Sequence, residues 1–545
     1  MMATKSRCSQ CGFEIAEPLA KNPLDFEFAA PGSRHYTLLN SDEVPLDPEL
    51  DMIASVVSET ETHLARLDDV ISKTNAHLAC LEDEVASVRE RMRQLEEQRA
   101  PLHSYRAQNQ AVRSPLRRIP PEVLAEIFLW TLPTPQRAVE RLRFSAMESP
   151  WVLTHVSRRW RAVAISSPAL WSLLPITCGT KNNSLYYPLS MIETHLARAS
   201  KLKIHFYGTE ADSQSQTEIF RLLAAHADRW EELSLGLTSA LVPLLDSLMG
   251  RLPHLRRTWI QWNGRESQAE GVETIEIFES APSLVAFGAA KYHYIPYLLP
   301  AKQLTSYQLD APWGTHRDIL KLATGLIEAR VNVPFADDEP WPDPGPIISM
   351  SCLRRLFVSH VEILQFLQFP VLKEIALDMG LDEDVLPHLE PSLIRSACPL
   401  RMLCFDGCPP ADATLSVLQR FPSIKELAII VDTVEDSGRL TRFMTSLTVS
   451  KTEETTVVAP QLNRVSLGSE DKGYIDYDTF LGMVESRWRS AHCALKGAAL
   501  LIAAGGTPVR SDLGVLRKEG LDLVLAEGLD ASNAIDYLLM YPGWN

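Results

Sequence analysis

The chain has 545 residues, of which 46% are hydrophobic and 22% are charged, and its formal net charge is −16. This composition is typical of a chain that buries a large core in about two to four structural units. The acidic balance argues against a general nucleic-acid or anionic-membrane binder. Nine scattered cysteines favour free thiols in a reducing compartment. No secretory signal is expected, and no apolar run is long enough to cross a bilayer. We therefore expect a cytoplasmic and/or nuclear protein.

Residues 1–49 are predicted to form a flexible tail, because the segment is polar and contains several prolines. It carries Cys8-Ser-Gln-Cys11-Gly, which is half of a zinc ribbon. A structural zinc site needs four ligands, yet no second cysteine pair follows nearby and only His35 is close. Two free thiols are favoured, and zinc binding by Cys8 and Cys11 is left open.

Residues 50–100 are predicted to form a coiled coil, because apolar residues recur with a heptad spacing and charged residues occupy the other faces. Threonines at two positions of the seam weaken it. A homodimer is favoured, and an intramolecular hairpin stays open. Pro101 is expected to end the helix, and residues 101–113 to link it to the next segment. The two heptad series are Val57, Leu64, Ile71, Leu78, Val85, Met92 and Thr60, Leu67, Thr74, Leu81, Val88, Leu95.

Residues 114–174 are predicted to form a small all-α domain of short helices. Pro121 at a first helical position loses no hydrogen bond, and the Glu122 carboxylate suits the positive end of the helix dipole. This helix is expected to end near Thr131, because Pro133 follows. Two Ser-Pro pairs, at 149–150 and 167–168, repeat the start signal. The bulky anchors of this segment are Trp151, Trp160 and Trp171.

This segment resembles an F-box. The family opens with Leu-Pro-x-Glu-(Ile/Leu)-Leu-x-x-Ile-Phe, which residues 119–128 match except for isoleucine in place of the first leucine, a mild swap. The later Val-(Cys/Ser)-(Arg/Lys)-x-Trp and Leu-Trp are met at residues 156–160 and 170–171. Residues 133–148 depart from the family and are expected to form a loop. An ordinary small helical core is the alternative.

The resemblance implies binding to the Skp adaptor of Skp–cullin–F-box ubiquitin ligases. Trp160 could instead hold the helices of the segment together. The family positions carried over to the adaptor surface are Ile119, Pro120, Pro121, Val123, Leu124, Ile127, Val156 and Trp160.

Residues 195–545 carry a recurring Leu-x-x-Leu-x-Leu pattern. Its spacing is close to the roughly 20–29 residues of leucine-rich repeats, each of which forms one strand and a return. We expect an irregular solenoid with a C-terminal cap, and this arrangement also resembles the F-box-like proteins expanded in mushroom-forming fungi. An α/β domain with unrelated strands is the alternative. The pattern begins at Trp230, Leu255, Leu284, Leu304, Leu326, Leu353, Leu372, Leu400, Ile424 and Leu462.

The strands of these repeats predict a target-binding surface. The fourth and sixth positions of the pattern point into the core, so the fifth and seventh point to solvent. A mixed aromatic and polar strip is typical of protein recognition. The predicted target-binding residues are Trp259, Gln261, Gln308, Asp310, Arg330, Asn332 and Phe357, and Ser359, Asp378 and Asp406 are expected to be exposed with them.

No catalytic motif is present: the chain lacks a phosphate-binding loop, a dinucleotide fingerprint, His-Glu-x-x-His and Gly-x-Ser-x-Gly. We therefore expect a non-enzyme without metal or cofactor. The expected fold is an α/β multidomain chain with an N-terminal coiled-coil helix, a small all-α F-box and a C-terminal irregular leucine-rich-repeat solenoid. The expected function is that of a substrate receptor, bound to the Skp adaptor and cullin complex and to an unknown protein target, without nucleic acid or membrane. A non-catalytic scaffold outside a ligase and an enzyme with a site hidden from motifs are the alternatives.

Overall fold

The computed structural model describes residues 26–132, 147–178, 189–210, 213–265, 269, 271–290, 295–333, 341, 345–379, 386–449, 457–504 and 511–541. The chain divides into two compact units, Met1–Ile119 and Pro120–Asn545. This division lies inside the segment 114–174 that the sequence predicts as one domain. Cys8 and Cys11, and most of the predicted loop at 133–148, lie outside the described residues.

The first unit contains helix α1 (Arg34–Leu39), the 66-residue helix α2 (Asp47–Val112) and a 3₁₀ turn (Pro115–Arg117). The expected end at Pro101 is wrong, because the helix continues to Val112 with Pro101 inside it. Strong helix formers on both sides of Pro101 offset the hydrogen bond that the proline removes. Among the described residues no second helix of comparable length pairs with α2. Its heptad residues are about half exposed, as at Leu64 and Ile71.

The second unit begins with helices α3 (Pro121–Leu129), α4 (Leu153–Val156) and α5 (Arg158–Ser166) and a 3₁₀ turn (Pro168–Trp171). Helix α3 starts at Pro121, as the sequence predicts. The Ser157 hydroxyl accepts a hydrogen bond from the Trp160 N–H at 3.1 Å and so caps α5. The Trp171 indole donates to the carbonyl oxygen of Ala164 at 2.8 Å. The second of these contacts joins the 3₁₀ turn to α5.

Within the described residues, one sheet of fourteen parallel strands dominates the second unit. Its strands lie side by side in the order of the chain, because each is followed by a crossover that brings the next strand back in parallel. Two further strands, β8 (Ile348–Ser349) and β10 (Leu367–Gln368), form a separate parallel pair. The fourteen are β1 (Leu173–Thr177), β2 (Leu202–Tyr207), β3 (Trp230–Leu237), β4 (Arg257–Trp262), β5 (Ala286–Ala290), β6 (Ser306–Asp310), β7 (Glu328–Asn332), β9 (Arg355–Val358), β11 (Glu374–Asp378), β12 (Met402–Asp406), β13 (Glu426–Val431), β14 (Arg464–Asp471), β15 (Gly497–Ala504) and β16 (Asp522–Glu527).

Helices accompany many of these crossovers. None in the described part of the chain is long and apolar enough to span a membrane. They are α6 (Leu189–Arg198), α7 (Ser213–Ala224), α8 (Val242–Leu245), α9 (Trp313–Leu322), α10 (Leu386–Ser396), α11 (Ala411–Arg420), α12 (Val434–Leu447), α13 (Tyr477–Arg489), α14 (Ser511–Lys518) and α15 (Gly528–Leu538).

The predicted fold class holds only at the coarse level of α/β; its division into a separate all-α F-box and a leucine-rich-repeat solenoid is wrong, because one large parallel sheet dominates the second unit. The helices after Pro121 lead directly into β1, which pairs with β2 in the same sheet. Helix α15 does not cap the end of a solenoid but packs on a face of the sheet, where Ile535 joins a cluster with Ala376 and Cys404. Small residues on this face leave room for a helix. The repeat spacing predicted a series of strands but could not show what covers each face.

Candidate functional site

The first candidate surface is the exposed side of helix α3. Val123, Ile127 and Trp130 lie on one side of the helix, because they are four and three residues apart. They are 48%, 43% and 90% exposed. Leu124 and Phe128 are fully buried and hold the helix to the rest of the unit. We call Val123, Ile127 and Trp130 the α3 stripe; it is an apolar surface that the fold of the second unit leaves uncovered.

The predicted adaptor residues differ in where the structure places them. Leu124 is part of the core, so its side chain holds the helix in place. The ring centroid of half-buried Trp160 lies 4.8 Å from that of Phe128, which supports the alternative role of holding the helices together. Ile119 is half-buried and belongs to the first unit. The remaining predicted positions are exposed, namely Pro120, Pro121, Val123, Ile127 and Val156.

The second candidate surface is a cavity of about 390 Å³ between the sheet and the C-terminal helix. We call it the groove. One wall consists of side chains from β4 to β9, and the other is formed by α15 and the residues just after it. The lining of the groove includes Trp259, Gly288, Gln308 and Arg330 from the sheet, and Asp536, Tyr537, Met540 and Tyr541 from the C-terminal segment.

Strand register brings three predicted target-binding residues into the groove. Trp259 is the partner of Gly288, Gly288 of Gln308, and Gln308 of Arg330 on successive strands. A Cβ atom added at Gly288 would lie 2.3 Å from Cε3 of Trp259. The glycine therefore lets the indole lie across β5. Side chains that are far apart in sequence form one continuous row on this face of the sheet.

Arg330 is the most constrained charged group in the groove. It is 5% exposed, and its Nη1 donates to the carbonyl oxygen of Leu539. Its Cζ lies 3.5 Å from the ring centroid of Phe357 and 3.8 Å from that of Tyr541, so aromatic rings cover the guanidinium. Burial lowers the pKa of Arg330, whereas Tyr541 and nearby carboxylates act in the opposite direction. The Nε atom has no hydrogen-bond partner among the described residues.

Gln308 presents a second unsatisfied donor beside Arg330. The side chain is 6% exposed, and its Nε2 has no hydrogen-bond partner in the described part of the chain. Buried polar atoms are nearly always paired in folded proteins, and each unpaired one is costly. The groove therefore holds two buried donors, on neighbouring strands, for which the described residues provide no acceptor.

The other arginine near the C-terminal helix is already paired. Arg355 Nε lies 2.7 Å from Glu374 Oε2, and Nη1 lies 3.2 Å from Glu328 Oε1. Its Nη2 donates to the carbonyl oxygen of Tyr537 at 2.9 Å, and its Cζ lies 4.3 Å from the Tyr537 ring centroid. Arg355 therefore positions the wall of the groove, and its charge is neutralised by the two carboxylates.

Several aspartates lie at the carboxyl edge of the sheet, where the strands end. Asp378 and Asp406 are register partners on β11 and β12. Burial raises the pKa of Asp406 to about 7, and the negative charges of Asp378 and Asp432 act in the same direction. Among the described residues, no group of three or more histidine, cysteine or acidic side chains is arranged to hold a metal ion.

The structure places the remaining predicted target residues outside the groove. Phe357 is fully buried beneath the C-terminal segment, contrary to the expected exposure, and Ser359 is also buried. Gln261, Asp310 and Asn332 are half-buried. Asp378 and Asp406, which were expected to be exposed, are also half-buried. Target binding by the half-buried members of the set stays a prediction.

Sequence reasoning missed the C-terminal wall of the groove. Ala531 and Ile535 are four residues apart and form the buried side of α15. This helical spacing of apolar residues after the last strand is the signal that could have indicated an amphipathic helix. It could not have shown on which face the helix packs.

No known family model matches the chain, and no curated protein matches it. The two features of the described residues that bear on function are the α3 stripe and the groove. The stripe is an apolar surface suited to a protein partner. The groove is a concave, partly aromatic cavity with unpaired donors, which is suited to a smaller ligand.

Proposed function

We propose that the chain is a non-catalytic substrate-receptor subunit of a Skp–cullin–F-box ubiquitin ligase. The α3 stripe binds the Skp adaptor, and half-buried polar side chains of the sheet, namely Gln261, Asp310 and Asn332, bind a protein target. The observation that carries the proposal is the exposure of Val123 and Ile127 in the helix that bears the F-box-like pattern, while Leu124 and Phe128 of the same pattern are buried. The apolar residues of the pattern thus form two sides of α3, one buried in the core and one exposed to solvent.

The energetics of the stripe favour a partner. Fully burying a valine or isoleucine side chain contributes about 1.5–3 kcal/mol. Exposed Trp130 adds an aromatic side chain of the type that is enriched among residues with large effects on binding. Val156, exposed on α4, adds apolar area to this helical region.

A receptor of this kind performs no bond chemistry. It holds the target close to the ubiquitin-charged enzyme and so raises the target's effective concentration. The half-exposed heptad residues of α2 support pairing with a second copy, which presents two receptors together. The proposal implies a cytoplasmic and/or nuclear location, where an adaptor and cullin are available.

The test is binding of the complete chain to purified Skp adaptor, measured by calorimetry for the wild type, Ile127→Asp and Val434→Asp. Val434 is 75% exposed at the start of α12 and serves as the matched control. We expect Ile127→Asp to weaken binding about 30-fold or more, since a central interface residue contributes about 2 kcal/mol or more. The control should bind as the wild type does.

The proposal would be refuted if the folded wild-type chain did not bind the adaptor. Adaptor binding without co-purification of a cullin would favour the alternative, which is a non-catalytic scaffold that acts outside a ligase. Co-purification of the cullin with the wild type and its loss with Ile127→Asp support the receptor.

A further inference from the structure

We propose that the groove is a binding site for a small organic monocarboxylate with a planar apolar body. The carboxylate pairs with Arg330 and Gln308, and the apolar body lies against Trp259 on one side and the C-terminal end of α15 with the residues just after it on the other. This site is independent of adaptor binding, because the groove does not include the α3 stripe.

The hydrogen-bonding state of Arg330 favours a carboxylate ligand. A guanidinium presents flat faces and edges of N–H groups. In Arg330 the faces are covered by Phe357 and Tyr541, and Nη1 is occupied by the Leu539 carbonyl. The Nε atom, which shares an edge of the guanidinium with Nη2, has no hydrogen-bond partner among the described residues. A carboxylate is planar and accepts two parallel hydrogen bonds from such an edge.

The side chain of Gln308 supplies a second hydrogen-bond donor beside Arg330. Gln308 and Arg330 are register partners on β6 and β7, so their side chains stand on the same face of the sheet about 4.8 Å apart. The amide Nε2 of Gln308 is buried and unpaired in the described part of the chain. An oxygen held by the Arg330 edge lies within reach of this amide. One carboxylate can therefore satisfy both residues.

The surrounding charges favour a singly charged ligand. Glu328 and Asp536 also line the groove. The charge of Arg355 is matched by Glu328 and Glu374. A phosphate, which carries more negative charge, would meet stronger repulsion from these carboxylates than a carboxylate does. This balance distinguishes the groove from a general anion site.

The rest of the groove accommodates an apolar body. The Trp259 indole lies across Gly288 on one side, and Tyr537 and Met540 line the other. A volume of about 390 Å³ is within the range of small-molecule sites. Aromatic walls with a few convergent polar groups are the usual composition of such sites.

The test uses benzoate as the probe, with benzamide as its neutral counterpart and inorganic phosphate as the tetrahedral anion. Calorimetry on the complete wild-type chain at neutral pH should give saturable binding of benzoate. Benzamide should bind about tenfold more weakly or worse, because it lacks the charge that pairs with Arg330. Phosphate should also bind more weakly than benzoate.

Two variants locate the site. Arg330→Gln and Gln308→Leu should each weaken benzoate binding about tenfold or more. The matched controls are Arg317→Gln on α9 and Gln419→Leu on α11. Both positions are exposed and lie outside the groove, so these variants should bind benzoate as the wild type does.

The proposal survives only one pattern of results. It is overturned if a folded wild-type chain gives no saturable benzoate binding at millimolar concentration, or if benzamide or phosphate binds as well as benzoate. Unchanged benzoate affinity in Gln308→Leu also overturns it. If Arg330→Gln does not fold, the comparison of the three probes on the wild type and the Gln308→Leu result still decide the question.

Discussion

Replacing Gln308 with glutamate should supply the missing partner of Arg330 from within the chain. Glutamate has the size of glutamine, so the change creates neither a cavity nor a clash. The new carboxylate stands beside Arg330 on the neighbouring strand, about 4.8 Å away between strands. It also removes the buried Nε2 that has no hydrogen-bond partner among the described residues.

The expected gain follows from two opposing effects. A hydrogen bond to a charged group contributes about 1.5–3 kcal/mol. Burying the carboxylate costs part of this, although Arg330 is desolvated already in the wild type. We expect the free energy of unfolding to rise by about 1–2 kcal/mol near neutral pH, which is the usual contribution of a charge-assisted hydrogen bond less its desolvation cost.

Urea unfolding from pH 7 down to pH 2.5 measures this effect. The pairing with Arg330 holds the pKa of the new carboxylate below its unfolded value of about 4.3. A lowered folded-state pKa means that the gain is complete above about pH 4.3 and is lost as the pH falls through the folded-state pKa. Gln419→Glu, at an exposed site, should change stability by no more than about 0.5 kcal/mol.

A variant less stable than the wild type at pH 7 would refute the reasoning, because Arg330 would then gain nothing from a carboxylate. A gain that persists unchanged at pH 2.5 would show that ionisation of the new group is not its source. The same variant should no longer bind benzoate, since the internal carboxylate occupies the Nε edge.

Two further predictions concern the core and the acidic edge. Leu124→Ala should lower the free energy of unfolding by about 2–5 kcal/mol, because the Leu124 side chain is fully buried. Val123→Ala should lower it by less than about 1 kcal/mol, because Val123 is half-exposed. Equal losses in urea unfolding would contradict the assignment of the two sides of α3. The pKa of Asp406 is about 7 in the folded chain, above its unfolded value of about 3.9. Its contribution to stability is therefore present below about pH 3.9 and lost as the pH rises through 7. Asp406→Asn removes the titrating group, so the free energy of unfolding of the variant should rise relative to that of the wild type between pH 4 and pH 8. A difference between the two proteins that does not vary with pH would contradict the assigned pKa.

Local patterns predicted the elements of the fold. Helix α3 begins at Pro121 because a proline and a carboxylate favour a first helical turn. Strand β9 falls where Leu353-x-x-Leu356-x-Val358 predicts one, because alternating side chains bury one face. Both signals involve residues that are neighbours along the chain. The helix end expected at Pro101 failed, because the effect of one proline depends on the helix around it.

The candidate site depended on contacts that no local pattern encodes. Trp259, Gln308 and Arg330 could be placed on one face of the sheet from their position in the repeat, because strand side chains alternate. That face was expected to be open. It is instead covered by α15, and the bond from Arg330 to Leu539 joins residues 209 positions apart.

Periodicity along the chain was enough to predict the strands, because side chains alternate between the two faces of a strand with a period of two residues. The choice of face on which α15 packs, and with it the burial of Phe357 and the two unpaired donors of the groove, arose only in the tertiary structure. Packing between distant segments depends on the complementary shapes of complete surfaces, such as the cluster that Ala376 and Cys404 of the sheet form with Ile535 of α15.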